Sequence, residues 1–200
     1  DDLFSVCAQQ NSIESFVDEM APPLSSEEEV RGGTALLLDQ AACPFRAFAK
    51  HRLGARALEE PTPGLSAHQR GTLVHEVMRN FWSSMKSLET LGKLDDAENE
   101  KAIQLAVDEE VDHFVRLHPA SLPKTLAELE KTRLRYLLKQ WLDVEMTRQP
   151  FVVEALEEKK EISIDGVTLK TVVDRIDRLP EGGLMIIDYK TGDAKVTKWI

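Results

Sequence analysis

Leu184-Met185-Ile186-Ile187-Asp188-Tyr189-Lys190-Thr191-Gly192 reads as an apolar β-strand that runs into an acid, an aromatic residue and a base. Just upstream, Val172-Val173-Asp174-Arg175-Ile176-Asp177 carries another acid in mid-strand, and Glu181-Gly182-Gly183 is the turn between the two segments. Asp188 and Lys190 stand two positions apart, so a strand over 184–190 places both on one face. Charged groups beside Ile186 and Ile187 are costly to bury without a partner or a task. Two carboxylates and a lysine on adjacent apolar strands suit one task in particular, holding a divalent metal against a phosphodiester.

The chemistry explains the residue types. Phosphodiester hydrolysis at neutral pH needs an activated water and relief of negative charge, and a hard cation held by carboxylate oxygens supplies both. Asp174 and Asp188 are the candidate ligands and catalytic acids. Lys190 is the group to orient or deprotonate the water, or to neutralise charge developing on the phosphate. Asp177 lies an odd number of positions from Asp174, hence on the opposite face, and nearer the turn. It is expected in a surface ion pair with Arg175 or Arg178, or as a strand-end group.

Working back from these strands, 151–164 and 167–178 read as a hairpin joined by Asp165-Gly166, a strong two-residue turn signal. Before Pro150 the period is helical. Helices are expected over 96–117 and 124–147, the latter with Leu126, Leu129, Leu137, Leu138 and Trp141 as its apolar stripe. Another runs from Ser66, which forms a capping box with Gln69, to about Lys86, and carries Leu73, Val74, Val77, Met78, Phe81 and Trp82. A first helix is expected over Asp39–Leu53, with Pro44 kinking it or setting a new first turn. The class is therefore α/β, a helical part at 34–149 followed by a sheet part at 150–200. Residues 1–33, with Pro22-Pro23, Glu27-Glu28-Glu29 and Gly32-Gly33, read as a tail or linker. The ragged start suggests a piece of a larger protein, and the stop at Ile200 a truncated C-terminus.

Two hundred residues suit one domain, and 42% apolar content is enough for a core. No apolar run approaches bilayer length, so no membrane is expected, and the acidic start is not a signal peptide. Cys7 and Cys43 form no disulfide framework, which favours a reducing cytoplasm. A net charge of −10 argues against coating DNA nonspecifically, though it does not exclude a DNA enzyme whose local field is set by bound cations. Arg46, Lys50, Arg52 and Arg56, with His51, form a stretch free of acids: a solvated helix face on the ordinary reading, a phosphate-tracking face on the functional one. His75, read alone, is a core histidine on an apolar helix, with Gly71 one turn earlier leaving room for a neighbouring backbone.

The ordered set Gly71-Thr72-Leu73-Val74-His75, Val173-Asp174-Arg175-Ile176-Asp177 and Ile187-Asp188-Tyr189-Lys190-Thr191-Gly192 resembles the RecB-like branch of the PD-(D/E)XK nuclease superfamily. Leu38-Asp39-Gln40-Ala41-Ala42-Cys43-Pro44-Phe45-Arg46 is similar to the Cys-Pro-Phe/Tyr element of AddB-type DNA repair proteins, to whose C-terminal nuclease region the likeness is closest. The resemblance implies a restriction-endonuclease-like core, a three-stranded meander at the end of a mixed sheet, with a helical subdomain. It implies His75, Asp174, Asp188 and the Tyr189 backbone carbonyl as ligands of Mg²⁺ or Mn²⁺, Lys190 as the catalytic lysine, and Glu154 as an acid near the site. The implied activity is a deoxyribonuclease, with exonuclease action expected, processing double-strand break ends in the bacterial cytoplasm beside a helicase subunit or domain. The alternative is an inactive nuclease-fold module that binds DNA or serves as a scaffold. Family members often hold an iron–sulfur cluster on four cysteines; only Cys43 matches here, so no cluster is expected from this chain, and Cys43 is expected in the core. The Gln-x-x-x-Tyr helix that usually follows the Asp-x-Lys strand is not contained in these residues.

Overall fold

The strands β1 (Val152–Ile164), β2 (Val167–Arg178) and β3 (Leu184–Ile187) lie antiparallel in the order β1-β2-β3 in a computed structural model. It describes residues 23–25, 30–58, 64–165 and 167–192. Most of the tail expected over residues 1–33, including its acidic run 27–29 and Cys7, lies outside the described residues, as do Gly166 and residues 193–200 of the expected sheet part. Ile164 pairs with Val167, so the hairpin turns at Asp165, whose φ of 48° is the left-handed conformation such a turn demands. β2 is the central strand and is paired along both edges near its end, where residues 174–177 are all buried.

β3 is shorter than the 184–190 expected from sequence. Its ladder with β2 stops at the pair Arg175–Ile187. Beyond that point the Tyr189 N–H donates to the Asp174 side chain, at 2.7 Å from Oδ2. A carboxylate has taken a donor that a continuing ladder would give to backbone. The described strands are antiparallel throughout, so the mixed sheet of the expectation is seen here only in its meander.

Helix α3 (Ala67–Met85) follows α1 (Gly33–Ala42), α2 (Pro44–Ala47) and a π-helical turn at Phe48–Arg52. Its capping box forms as expected, with Ser66 Oγ accepting the Gln69 N–H and Gln69 Oε1 accepting the Ser66 N–H. Leu73, Val74, Val77, Met78, Phe81 and Trp82 are all buried, the stripe read from the sequence. Trp82 has no exposure and meets Phe81 and Phe151 edge to face, with centroids 5.5 and 5.4 Å away. Helices α4 (Leu88–Gly92), α5 (Asp96–Leu117) and α6 (Lys124–Glu145) complete the helical layer.

On α6 the buried row is Ala127, Leu134, Leu138 and Leu142, together with Glu130, Lys131 and Glu145. Leu126, Leu129, Leu137 and Trp141, placed on the inner stripe from sequence, are partly or largely exposed. The helix carries apolar side chains on two faces, and periodicity alone does not say which face meets α5. The N-terminal helix also differs from expectation. It starts at Gly33, where a Cβ would come within 2.8 Å of the Lys170 carbonyl oxygen of β2, so glycine lets α1 lie against the sheet. Cys43 is extended and exposed rather than packed in the core, and Pro44 opens a new first turn.

Candidate metal centre

His75 sits at the middle of α3, on the turn where that helix passes the end of β3. Gly71, one turn earlier, makes the approach possible: a Cβ there would lie 3.1 Å from Thr191 Oγ1. The ring is wedged against Tyr189, whose backbone carbonyl accepts a hydrogen bond from His75 Nε2 at 2.8 Å. A carbonyl only accepts, so in the neutral ring the proton is on Nε2 and Nδ1 presents a lone pair. That lone pair faces Asp174 Oδ1 at 3.4 Å and Glu157 Oε1 at 4.0 Å. Among the described residues, His75, Glu157 and Asp174 form a group whose ligand atoms all lie within 4.8 Å of one another. Three converging acceptors could hold a cation. Imidazole with carboxylate oxygens suits a divalent ion of the Mn²⁺ or Mg²⁺ kind, the imidazole favouring the former.

Glu157 is the residue that sequence reading missed. β1 and β2 slip register between Val153 and Ala155, so Glu154 is an extra residue. Glu157 then falls between the pairs Leu156–Arg175 and Glu158–Val173, opposite Asp174. Without that bulge Leu156 would face Asp174. Glu157 also holds φ at 48°, a left-handed backbone that costs on the order of 1–3 kcal/mol for a side-chain-bearing residue. Burial pushes its carboxyl pKa up, and the neighbouring Asp174 pushes it the same way, against the pull of His75. Glu154, the acid chosen from sequence, instead pairs with Arg178 at 2.6 Å, with both side chains substantially exposed. No pattern of apolar spacing announces a bulge, and acids are frequent along this strand.

Asp188 and Lys190 pair with each other, Nζ lying 2.7 Å from Oδ2 and 3.0 Å from Oδ1, and both are exposed. They adjoin Tyr189, whose N–H and C=O tie this segment to Asp174 and His75. A cleft of about 390 Å³ opens beside His75 and Glu157, lined also by His68, Gly71, Thr72 and Thr191. The basic stretch is organised differently. Arg46 Nε, His51 Nε2 and Lys50 Nζ converge on Asp39, at 2.7, 2.8 and 3.4 Å. The hydrogen bond from His51 is the foremost cause holding the Asp39 carboxyl below its usual pKa. Arg52 donates to the Pro23 carbonyl, and Arg56 is exposed.

Asp177 is not the surface pair expected. It is fully buried, held by Arg175 through Nε–Oδ1 at 2.6 Å and Nη2–Oδ2 at 2.8 Å, and by Arg148 at 2.9 Å. Arg175, also without exposure, lies 3.9 Å above the Trp82 ring and reaches Glu145 at 2.9 Å. Burial pulls its pKa down, but the bond to Asp177 and the charges of Glu145 and Asp177 more than restore it.

An antiparallel sheet with flanking helices, and a histidine packed against paired carboxylates of its two long strands, fit a nuclease core. The PD-(D/E)XK nuclease superfamily matches residues 38–199, and the chain belongs to it. Among individual proteins it is similar to one subunit of the ATP-dependent helicase/deoxyribonuclease of Streptococcus mutans, 29% identical over 145 residues. That match covers 72% of this chain and 12% of the relative, so the chain corresponds to a small part of that protein's length. Among the described residues no helix is long and apolar enough to cross a membrane.

Proposed function

We propose that the chain is a divalent-metal-dependent deoxyribonuclease domain, residues 34–200, with 1–33 a tail or linker. The observation that carries this reading is the convergence of His75, Glu157 and Asp174 acceptor atoms beside Tyr189 and Lys190 in a PD-(D/E)XK chain. When bound, Mg²⁺ or Mn²⁺ polarises the phosphoryl group and lowers the pKa of water. His75 Nδ1, Asp174, Asp188 and Glu157 would hold the ion in this reading, while the Tyr189 carbonyl, accepting from His75 Nε2 on the other side of the ring, orients the imidazole. Lys190 leaves its pairing with Asp188 as substrate enters, and orients the attacking water or takes its proton. The printed name of the relative supports DNA as substrate and a helicase subunit or domain as partner. Exonucleolytic processing of double-strand break ends in the bacterial cytoplasm follows as the setting, with Arg46, Lys50, Arg52 and Arg56 tracking the backbone.

Purified protein given Mn²⁺ or Mg²⁺ is expected to cleave linear single- or double-stranded DNA, and EDTA to stop it. Asp188→Ala and Lys190→Ala are expected to abolish cleavage with thermal unfolding unchanged, since both side chains are exposed. Full activity in either variant overturns the assignment.

A further inference from the structure

Asp174 and His75 come from different elements, and each is tied to the same residue rather than to the other's element. Tyr189 gives its N–H to Asp174 Oδ2 and its carbonyl to His75. Its own side chain points away from the cleft into the core and is 6% exposed as a residue. There the phenol oxygen accepts from Arg175 Nη1 at 3.3 Å, and the ring meets Trp141 edge to face at 5.4 Å. Trp141 in turn donates to Glu145 Oε1 at 2.8 Å, and the same carboxylate receives Arg175. Arg175 is locked by Asp177 on one side and by the adjoining Trp82 and Phe151 rings, whose centroids lie 3.9 and 4.6 Å away.

We infer that Arg175 and the Tyr189 phenol are positioning residues, a rigid link through which the buried network sets the backbone of Tyr189 and thereby the separation of His75 and Asp174. The inference rests on the metal-site reading above and deepens it. Neither side chain touches substrate or metal. The link acts because Tyr189 follows the last ladder pair, Arg175–Ile187, so the sheet itself no longer fixes its backbone. What fixes it is one side chain anchored in the core and two backbone bonds to the site. Arg175 stands on β2 next to Asp174, so the anchor and the ligand share one strand.

The test is Mn²⁺ binding, read from the loss of the free-ion electron paramagnetic resonance signal, which needs no turnover. Tyr189→Phe removes only the phenol oxygen and keeps the ring and backbone. It is expected to weaken Mn²⁺ binding about three- to tenfold, below the roughly 10–100-fold cost of losing a direct outer partner because the phenol acts one residue removed, with little change in melting temperature. Val107→Ala, a fully buried change on α5, serves as the control for general loosening: its melting temperature falls and its Mn²⁺ affinity stays at the wild-type value. Wild-type affinity in Tyr189→Phe overturns the link while leaving the metal site standing, provided Asp174→Asn binds weakly in the same assay. Affinity that falls in both variants in step with melting temperature also overturns it, because a structural role alone then accounts for the loss. A wild-type protein that takes up no Mn²⁺ removes the metal-site reading, and the link falls with it.

Discussion

Asp174 and Asp177 stand three residues apart on β2, both are buried, and they do opposite things. Asp177 is enclosed by two guanidiniums, Arg175 and Arg148, so its charge is matched and its oxygens are fully occupied. Asp174 faces another carboxylate, Glu157, and a histidine nitrogen, with one oxygen taken by a backbone N–H. The face of β2 that carries Asp177 is thus closed by internal ion pairs. The other is left with surplus negative charge, which is where an external cation gains most. The lesson is that burial of an acid says little by itself; what surrounds it decides whether it holds the fold or waits for a ligand.

That contrast is open to attack from both sides. The largest effect is expected from Arg175→Met, which leaves the buried carboxylates of Asp177 and Glu145 sharing the single guanidinium of Arg148. Breaking such a network by removing one partner costs about 3–5 kcal/mol, which lowers the melting temperature by on the order of 10 °C in a chain of this size. Thermal unfolding checks it, and a shift within error removes the structural role given to this cluster. Asp174→Asn is expected to do the reverse, melting at or slightly above the wild-type temperature while losing Mn²⁺ affinity by more than the roughly 10–100-fold of an outer partner. Titration of Mn²⁺ beside a melting curve reads both.

Smaller changes sharpen the picture. Gly71→Ala puts a methyl 3.1 Å from Thr191 Oγ1, a contact the hydroxyl relieves by rotating. Cleavage is expected to drop a few-fold with little loss of stability; an unchanged rate at limiting Mn²⁺ argues that the close approach of α3 has no bearing on the site. Glu157→Gln gives the smallest effect, on pH dependence. The folded-state pKa of Glu157 is raised above its unfolded value, so its contribution to stability is fully present below the ordinary glutamate range and is lost as pH rises through the folded-state pKa. The Gln variant does not suffer that loss. Metal-free Glu157→Gln is therefore expected to melt slightly higher than wild type at neutral pH, the gain vanishing toward pH 4, as melting curves across pH would register.

Much of this was readable from residues alone. The α3 stripe, the capping box at Ser66, the Asp165-Gly166 hairpin and the order of helices before strands follow from local preferences and spacing, and they stand in the structure. The set His75, Asp174, Asp188, Tyr189 and Lys190 came from a spaced motif, and the structure brings His75, Asp174 and the Tyr189 backbone together. Glu157, the burial of Asp177, the outward face of α6 and the early end of β3 were not readable. Each depends on a partner distant in sequence: a register slip, two arginines from different elements, a choice between two apolar faces, and a carboxylate that intercepts a ladder donor. Sequence by itself determined which elements form and which residue types carry the chemistry, because those follow from neighbours along the chain. Only the tertiary structure decided which acid is paired with arginine and which is left facing another acid, because charge compensation depends on neighbours in space.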